Sequence, residues 1–282
     1  MRCILCLAAL LLLTTGSALA LEGHPEALPT GKAPVAPEPP SRLERFADWL
    51  QAGGFGLYRQ NYAIFSHGED AAGEGHTELK FQLSFRQGLG GSGLYAAYTQ
   101  VSFWRIFDGP GSRPFRETNY SPELFWRVPA RWLPDEKTVV DLGLYQHQSN
   151  GLAEPTSRSW DRSYLRLFRD FGPFDLELKF WHRWREKAKR FPTDPAGDEN
   201  PDILDYYGHG ELRLGVDLDY VLARAMVRHN FAADRGAVQV DLSLPIGTSN
   251  IALYVQIWDG YGESLIDYNR SLTKVGAGLR IR

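Results

Sequence analysis

The sequence predicts an all-β protein, a twelve-stranded antiparallel transmembrane β-barrel with a flexible N-terminal extension. Three observations carry this. Long runs alternate apolar and polar residues with period two, many of them are longer than ordinary globular strands, and they follow an export signal in a chain with 13% aromatic residues. Such alternation gives each run one apolar and one polar wall. A tilted membrane strand needs roughly 9–11 residues, against about five or six in a globular sheet.

The chain opens with Arg2, an unbroken apolar run from Cys3 to Leu13, and the small-x-small sequence Ala18-Leu19-Ala20. That order of features marks residues 1–20 as a secretory signal peptide. Both cysteines, Cys3 and Cys6, lie within it, so the exported chain carries no thiol and is stabilised by hydrogen bonding and packing alone. Residues 21–52 form the extension. Pro25, Pro29, Pro34, Pro37, Pro39 and Pro40, set among Ala and Glu, keep it extended, and a short helix is expected over residues 42–51.

Residues 53–282 form the barrel. Its strands are expected at 55–67, 76–88, 93–107, 118–128, 138–149, 159–171, 173–185, 205–219, 220–233, 235–246, 249–262 and 268–282. Twelve is an even number, as closure of an antiparallel barrel requires. The second run is the clearest, with Leu79, Phe81, Leu83 and Phe85 on one face and Glu78, Lys80, Gln82 and Ser84 on the other. The last run places Val275, Ala277, Leu279 and Ile281 together, and the chain then ends on Arg282, where many such barrels end on an aromatic residue. With a periplasmic N-terminus the fifth run ends outside the cell, near residues 147–149. The long connections 105–117 and 186–204 fall on that side. A net charge of −3 gives no basic excess for nucleic acid.

The chemically informative stretch is Tyr145-Gln-His-Gln-Ser-Asn-Gly151, followed by Pro155-Thr-Ser-Arg-Ser-Trp-Asp-Arg162. His147 and Ser149 are two apart on one strand and share a face. A serine nucleophile needs such a base. If the connection spans about 150–158, simple hairpin register sets 149 against 159 and 147 against 161. Asp161 then lies across from His147, where a carboxylate can fix the imidazole tautomer. The two strands disagree about which wall this is. Alternation along the fifth groups His147 and Ser149 with Asp141, Gly143 and Tyr145. Along the sixth, Asp161 shares its face with Leu165 and Leu167. The sixth strand has the clearer pattern and turns the site toward lipid, with Tyr145 as an interfacial aromatic.

Several strings resemble the outer-membrane phospholipase A family. They are Tyr98-Thr-Gln100, Ser112 with Pro114-Phe-Arg-Glu-Thr-Asn-Tyr120, Ser149-Asn-Gly151, Pro155-Thr-Ser-Arg-Ser-Trp160, Asn200-Pro-Asp202 and Gly260-Tyr-Gly-Glu-Ser-Leu-Ile-Asp-Tyr-Asn269. The resemblance runs from about residue 55 to the end. It implies a calcium-dependent phospholipase A1/A2 of the outer membrane that hydrolyses acyl esters of glycerophospholipids and works as a homodimer. It casts Ser149 as nucleophile and His147 as base, with the backbone N–H groups near Ser149 and Gly151 facing the oxyanion. Ser157, the Leu152 carbonyl and Ser112 from the partner subunit become the Ca²⁺ ligands, and Gln100 part of the dimer interface. Asp161 departs from the family, whose well-known members carry Asn there.

Two other readings start from different classes: a catalytically silent pore or structural barrel, and a lipopolysaccharide deacylase on a smaller barrel. A wide polar lumen would favour the first, and a lower strand count the second. The basic residues Arg183, Arg185, Lys187, Lys189 and Arg190 read as a solvated loop. The acidic group Asp194, Asp198, Glu199, Asp202 and Asp205 reads as a weak candidate for a cation.

Overall fold

The structure, a computed structural model, describes residues 54–69, 75–191, 194, 196–218 and 220–281. The signal peptide, the extension 21–52 with its expected helix, and Arg282 lie outside the described residues.

The strands are β1 Gly56–Leu57, β2 Asn61–Glu69, β3 Gly75–Gly88, β4 Leu94–Trp104, β5 Phe115–Arg127, β6 Thr138–Ser149, β7 Ser159–Asp170, β8 Phe174–Arg183, β9 Gly210–Leu218, β10 Val221–Asn230, β11 Arg235–Pro245, β12 Ile251–Tyr261 and β13 Ser271–Ile281. Each pairs antiparallel with the next from β2 to β13, and β13 pairs with β2, which closes a barrel of twelve positions. β1 and β2 share the partner β3 and are two halves of one wall strand. The break between them has a local cause. The Asn61 side chain takes over the ladder, accepting from Ser84 N at 2.7 Å and donating to Ser84 O at 2.9 Å. Tyr58 and Arg59 meanwhile turn inward, to stack on Phe125 and to pair with Glu123.

The alternation seen in the sequence becomes two chemically distinct walls. Phe65, Leu83, Phe85, Leu165, Phe180, Leu214, Val238, Leu253, Val275 and Leu279 point outward and are exposed. So continuous an apolar exterior needs lipid as its solvent. The interior is polar, and ion pairs fill it. Lys274 reaches Glu78 and Glu263, Lys80 reaches Glu263, and Arg116 bridges Glu78 and Asp267. Lower down, Arg127 and Arg166 converge on Asp141. Charges removed from water in this way must be paired to be tolerated.

Residues expected in strand at 205–207 are instead part of a short helix, α1 (Ile203–Tyr207). The helix tucks into the external mouth, where Tyr207 meets Trp160 with ring centroids 5.5 Å apart and Ile203 is fully buried. The basic stretch is also less free than a solvated loop. Arg183 closes β8, faces inward and holds Asp198, while Lys189 pairs with Glu154 and Arg190 with Asp194.

Candidate active site

The hairpin β6–β7 places the candidate residues in the expected register, with His147 opposite Asp161 and Ser149 opposite Ser159. The connecting turn is organised by Asn150. Its carbonyl oxygen accepts from Leu152 N and Arg158 N, and its amide donates to Thr156 O at 2.8 Å.

A β-bulge settles which wall the site occupies. Gly143 pairs with Tyr164 and Gln146 with Arg162, so Leu144 and Tyr145 together face the single residue Ser163. An extra residue in one strand shifts the phase of alternation beyond it. Asp141 and Gly143 are buried inward, Leu142, Leu144 and Tyr145 are exposed outward, and Gln146 is buried inward again. His147 and Ser149 therefore share the outer face with Leu142, as the sixth strand implied. The grouping with Asp141 and Gly143 suggested by uninterrupted alternation is corrected. Gly143 was the available signal, since glycine inside a strand often marks a bulge or a close approach. A Cβ there would run into the Tyr164 ring, which is pinned by a 2.6 Å hydrogen bond to Glu123.

His147 Nδ1 lies 2.7 Å from Asp161 Oδ1, with the two side chains about one-third exposed (32% and 28%). A carboxylate can only accept, so the ring carries its proton at Nδ1 and leaves Nε2 as the basic nitrogen. Ser149 lies two residues beyond on the same face, with no hydrogen bond to the ring among the described residues. Such contacts often tighten only when substrate is bound. Gly151 has a left-handed backbone (φ 65°), and its N–H makes no hydrogen bond among the described residues.

The same Asp161 oxygen accepts a second hydrogen bond, from Tyr145 OH at 2.9 Å. Trp184 packs on the Tyr145 ring at 5.2 Å, donates its backbone N–H to Asp161 O and its indole N–H to Ser163 Oγ. Nearby, burial and then Asp198 push the Glu186 carboxyl above its usual range, with Asp161 and Glu199 adding to this and Arg183 opposing it. Tyr145 was expected only as an interfacial aromatic. Its place two residues before His147, on the same face, was the clue to a closer role.

The expected calcium-related residues are spread over two loops at this end of the barrel. Ser157 Oγ donates to Glu199 Oε1 at 2.6 Å, while Glu199 Oε2 is buried without a hydrogen-bond partner among the described residues. No local pattern could have brought Glu199 to Ser157, because the contact spans the fold of the long β8–β9 connection. Leu152 stands in the Asn150 turn. Ser112 lies in the β4–β5 loop with a left-handed backbone (φ 61°). Gln100 faces outward from β4, where it accepts from Tyr98 OH at 2.9 Å and donates to Ser102 Oγ at 3.0 Å.

The family model described as Phospholipase A1 matches residues 55–281. A Phospholipase A1 of Escherichia coli K12 is 37% identical over 242 residues, covering 79% of this chain and 80% of the relative. The solved outer membrane phospholipase A of Escherichia coli superposes with a TM-score of 0.70 at 36% identity, covering 80% of this chain and 91% of that one. A Salmonella typhi outer membrane phospholipase, solved as a dimer with bound calcium, gives the same TM-score at 35% identity and the same coverage. With its closed twelve-stranded barrel and apolar exterior, the chain belongs to the phospholipase A1 family of lipid-hydrolysing enzymes in the bacterial outer membrane.

Proposed function

We propose that this chain is a calcium-dependent phospholipase A1/A2. In this reading it cleaves acyl esters of glycerophospholipids with Ser149 as nucleophile, His147 as base and Asp161 as the group that orients the base, and it works as a homodimer. The observation that carries the reading is the 2.7 Å contact between His147 Nδ1 and Asp161 Oδ1 on the lipid-facing wall, with a serine two residues further along the same face.

The chemistry follows from those positions. Ser149 Oγ passes its proton to His147 Nε2 as it attacks the ester carbonyl, and Asp161 stabilises the imidazolium that forms. The N–H groups of Gly151 and Ser149 are the proposed donors to the oxyanion. The imidazolium then protonates the departing glycerol oxygen, releasing lysophospholipid. Water, deprotonated by His147, frees the fatty acid from Ser149. Acyl chains reach an outward-facing site straight from the membrane.

The donors suit a hard cation. Ser157 Oγ, the Leu152 carbonyl and Ser112 of a second copy would hold Ca²⁺, and the unpartnered oxygen of Glu199 adds negative charge beside Ser157. When bound, the ion supplies positive charge near the oxyanion. The calcium-bound dimer of the Salmonella typhi relative supports both the metal and the assembly. A pore has little to support it, since ion pairs cross the lumen.

The test measures fatty-acid release from phospholipid micelles, with calcium or with a chelator, for wild type and Ser149→Ala. Release is expected only from wild type with calcium, and the serine variant should lose at least about 1,000-fold. Release that survives both chelation and the serine substitution sinks the reading.

A further inference from the structure

We infer that Tyr145 is a positioning residue for the reaction, a fourth member of the constellation that acts through Asp161. The inference rests on the reading of His147, Ser149 and Asp161 given above. Its basis is that a single carboxylate oxygen, Asp161 Oδ1, receives both His147 Nδ1 at 2.7 Å and Tyr145 OH at 2.9 Å.

Asp161 stands on a wall that faces lipid, where an unsupported carboxylate is free to swing. Two donors on one oxygen fix the carboxylate plane and its direction toward His147. Charge-assisted hydrogen bonds of this kind are the strong ones. Tyr145 is itself held. The bulge turns it outward together with Leu144, and Trp184 packs against its ring. Trp184 is tied in turn to the Asp161 carbonyl by its backbone N–H and to Ser163 by its indole. An aromatic whose only task was to sit at the membrane interface would need neither the hydroxyl contact nor the clamp.

Asp161 also differs chemically from an amide at the same place. A carboxylate accepts only, so every neighbour that supports it must be a donor. The charged and titratable groups facing it are His147 on β6, Tyr145 on the bulge and Glu186 just after β8, with Tyr120 facing Ser149 from β5. Of these, Tyr145 is the donor that stays neutral throughout the proposed reaction, whereas His147 becomes charged. Glu186 adds negative charge, which makes a neutral donor on Asp161 the more useful.

The decisive variant is Tyr145→Phe, which keeps the ring packing and removes the hydroxyl. In the calcium-containing micelle assay kcat is expected to fall on the order of 10-fold, with KM within about twofold. The negative charge left on Asp161 would favour the imidazolium more strongly. The acid limb of the kcat/KM profile therefore moves to higher pH, a change that loosened packing would not produce. A thermal melt of the refolded barrel checks that Tyr145→Phe folds. A Tyr145→Phe enzyme with unchanged kcat and acid limb, or with a defect confined to KM, overturns the inference while Ser149→Ala remains inactive. If Ser149→Ala keeps full activity, the reading beneath it fails instead.

Discussion

At the residue scale, the site depends on what Asp161 can still do when altered. Its Oδ1 accepts from His147 and Tyr145, and both bonds need only a lone pair. Asn offers the same carbonyl acceptor without the charge. Asp161→Asn is therefore expected to lose about 10-fold in kcat, while Asp161→Ala, which leaves His147 Nδ1–H without its acceptor, should lose on the order of 100-fold. Full activity in Asp161→Ala would remove Asp161 from the site. The cross-strand pairing of 147 with 161 was legible in the sequence because a short polar turn between two alternating runs leaves few registers. Glu199 beside Ser157 was not, because tertiary folding of a long loop creates that contact.

At the element scale, the bulge at Leu144–Tyr145 sets the phase of everything after it in β6. If parity is its contribution, a strand without the extra residue has the same parity. Deleting Leu144 leaves Gly143 inward, Tyr145 outward, Gln146 inward and His147 outward. The deletion variant should pair Gly143 with Tyr164 and Gln146 with Arg162 as before, and keep lipolytic activity within about tenfold of wild type. A folded but inactive variant would show that the bend of the bulge, rather than its count, aims the pair. The same element marks how far the sequence could be read. Eleven of the expected runs lie on strands with little change at their ends, because period two is a strong signal wherever one wall meets lipid and the other meets charge. The eighth began too early, since Asp205, Tyr206 and Tyr207 lie in α1 and pack into the mouth. Within the fifth run two walls were confused, because alternation carries no information across an inserted residue.

At the scale of the whole molecule, the β6–β7 hairpin that carries the proposed site and a polar stripe occupy the same outer wall. Ser149 pairs with Tyr120 on β5, and Tyr120 with Gln100 on β4. Around Gln100 run Tyr98, Ser102 and Thr118, joined by hydrogen bonds of 2.9 to 3.1 Å. Polar groups on a lipid-facing surface are costly unless satisfied. The Gln100 amide has two donors and two lone pairs, and its own chain engages one of each. In the proposed homodimer, what remains would be matched by the same amide on a second barrel related by a two-fold axis, an isologous contact. That arrangement would also carry the Ser112 loop of one copy toward the Ser157 turn of the other, because both loops lie at the external end. Gln100→Leu fills the same space with apolar atoms and ends the pairing. Its dimer dissociation constant in calcium-containing micelles should rise about 3- to 18-fold, in keeping with roughly 0.6–1.7 kcal/mol for a hydrogen bond between membrane segments. Activity should then fall at low enzyme-to-detergent ratio and recover as that ratio is raised, whereas a defect in the chemical step would persist at every ratio. Sedimentation equilibrium alongside the lipase assay reads both quantities. A dimer constant unchanged by Gln100→Leu would mean that the polar stripe does not hold the two copies together.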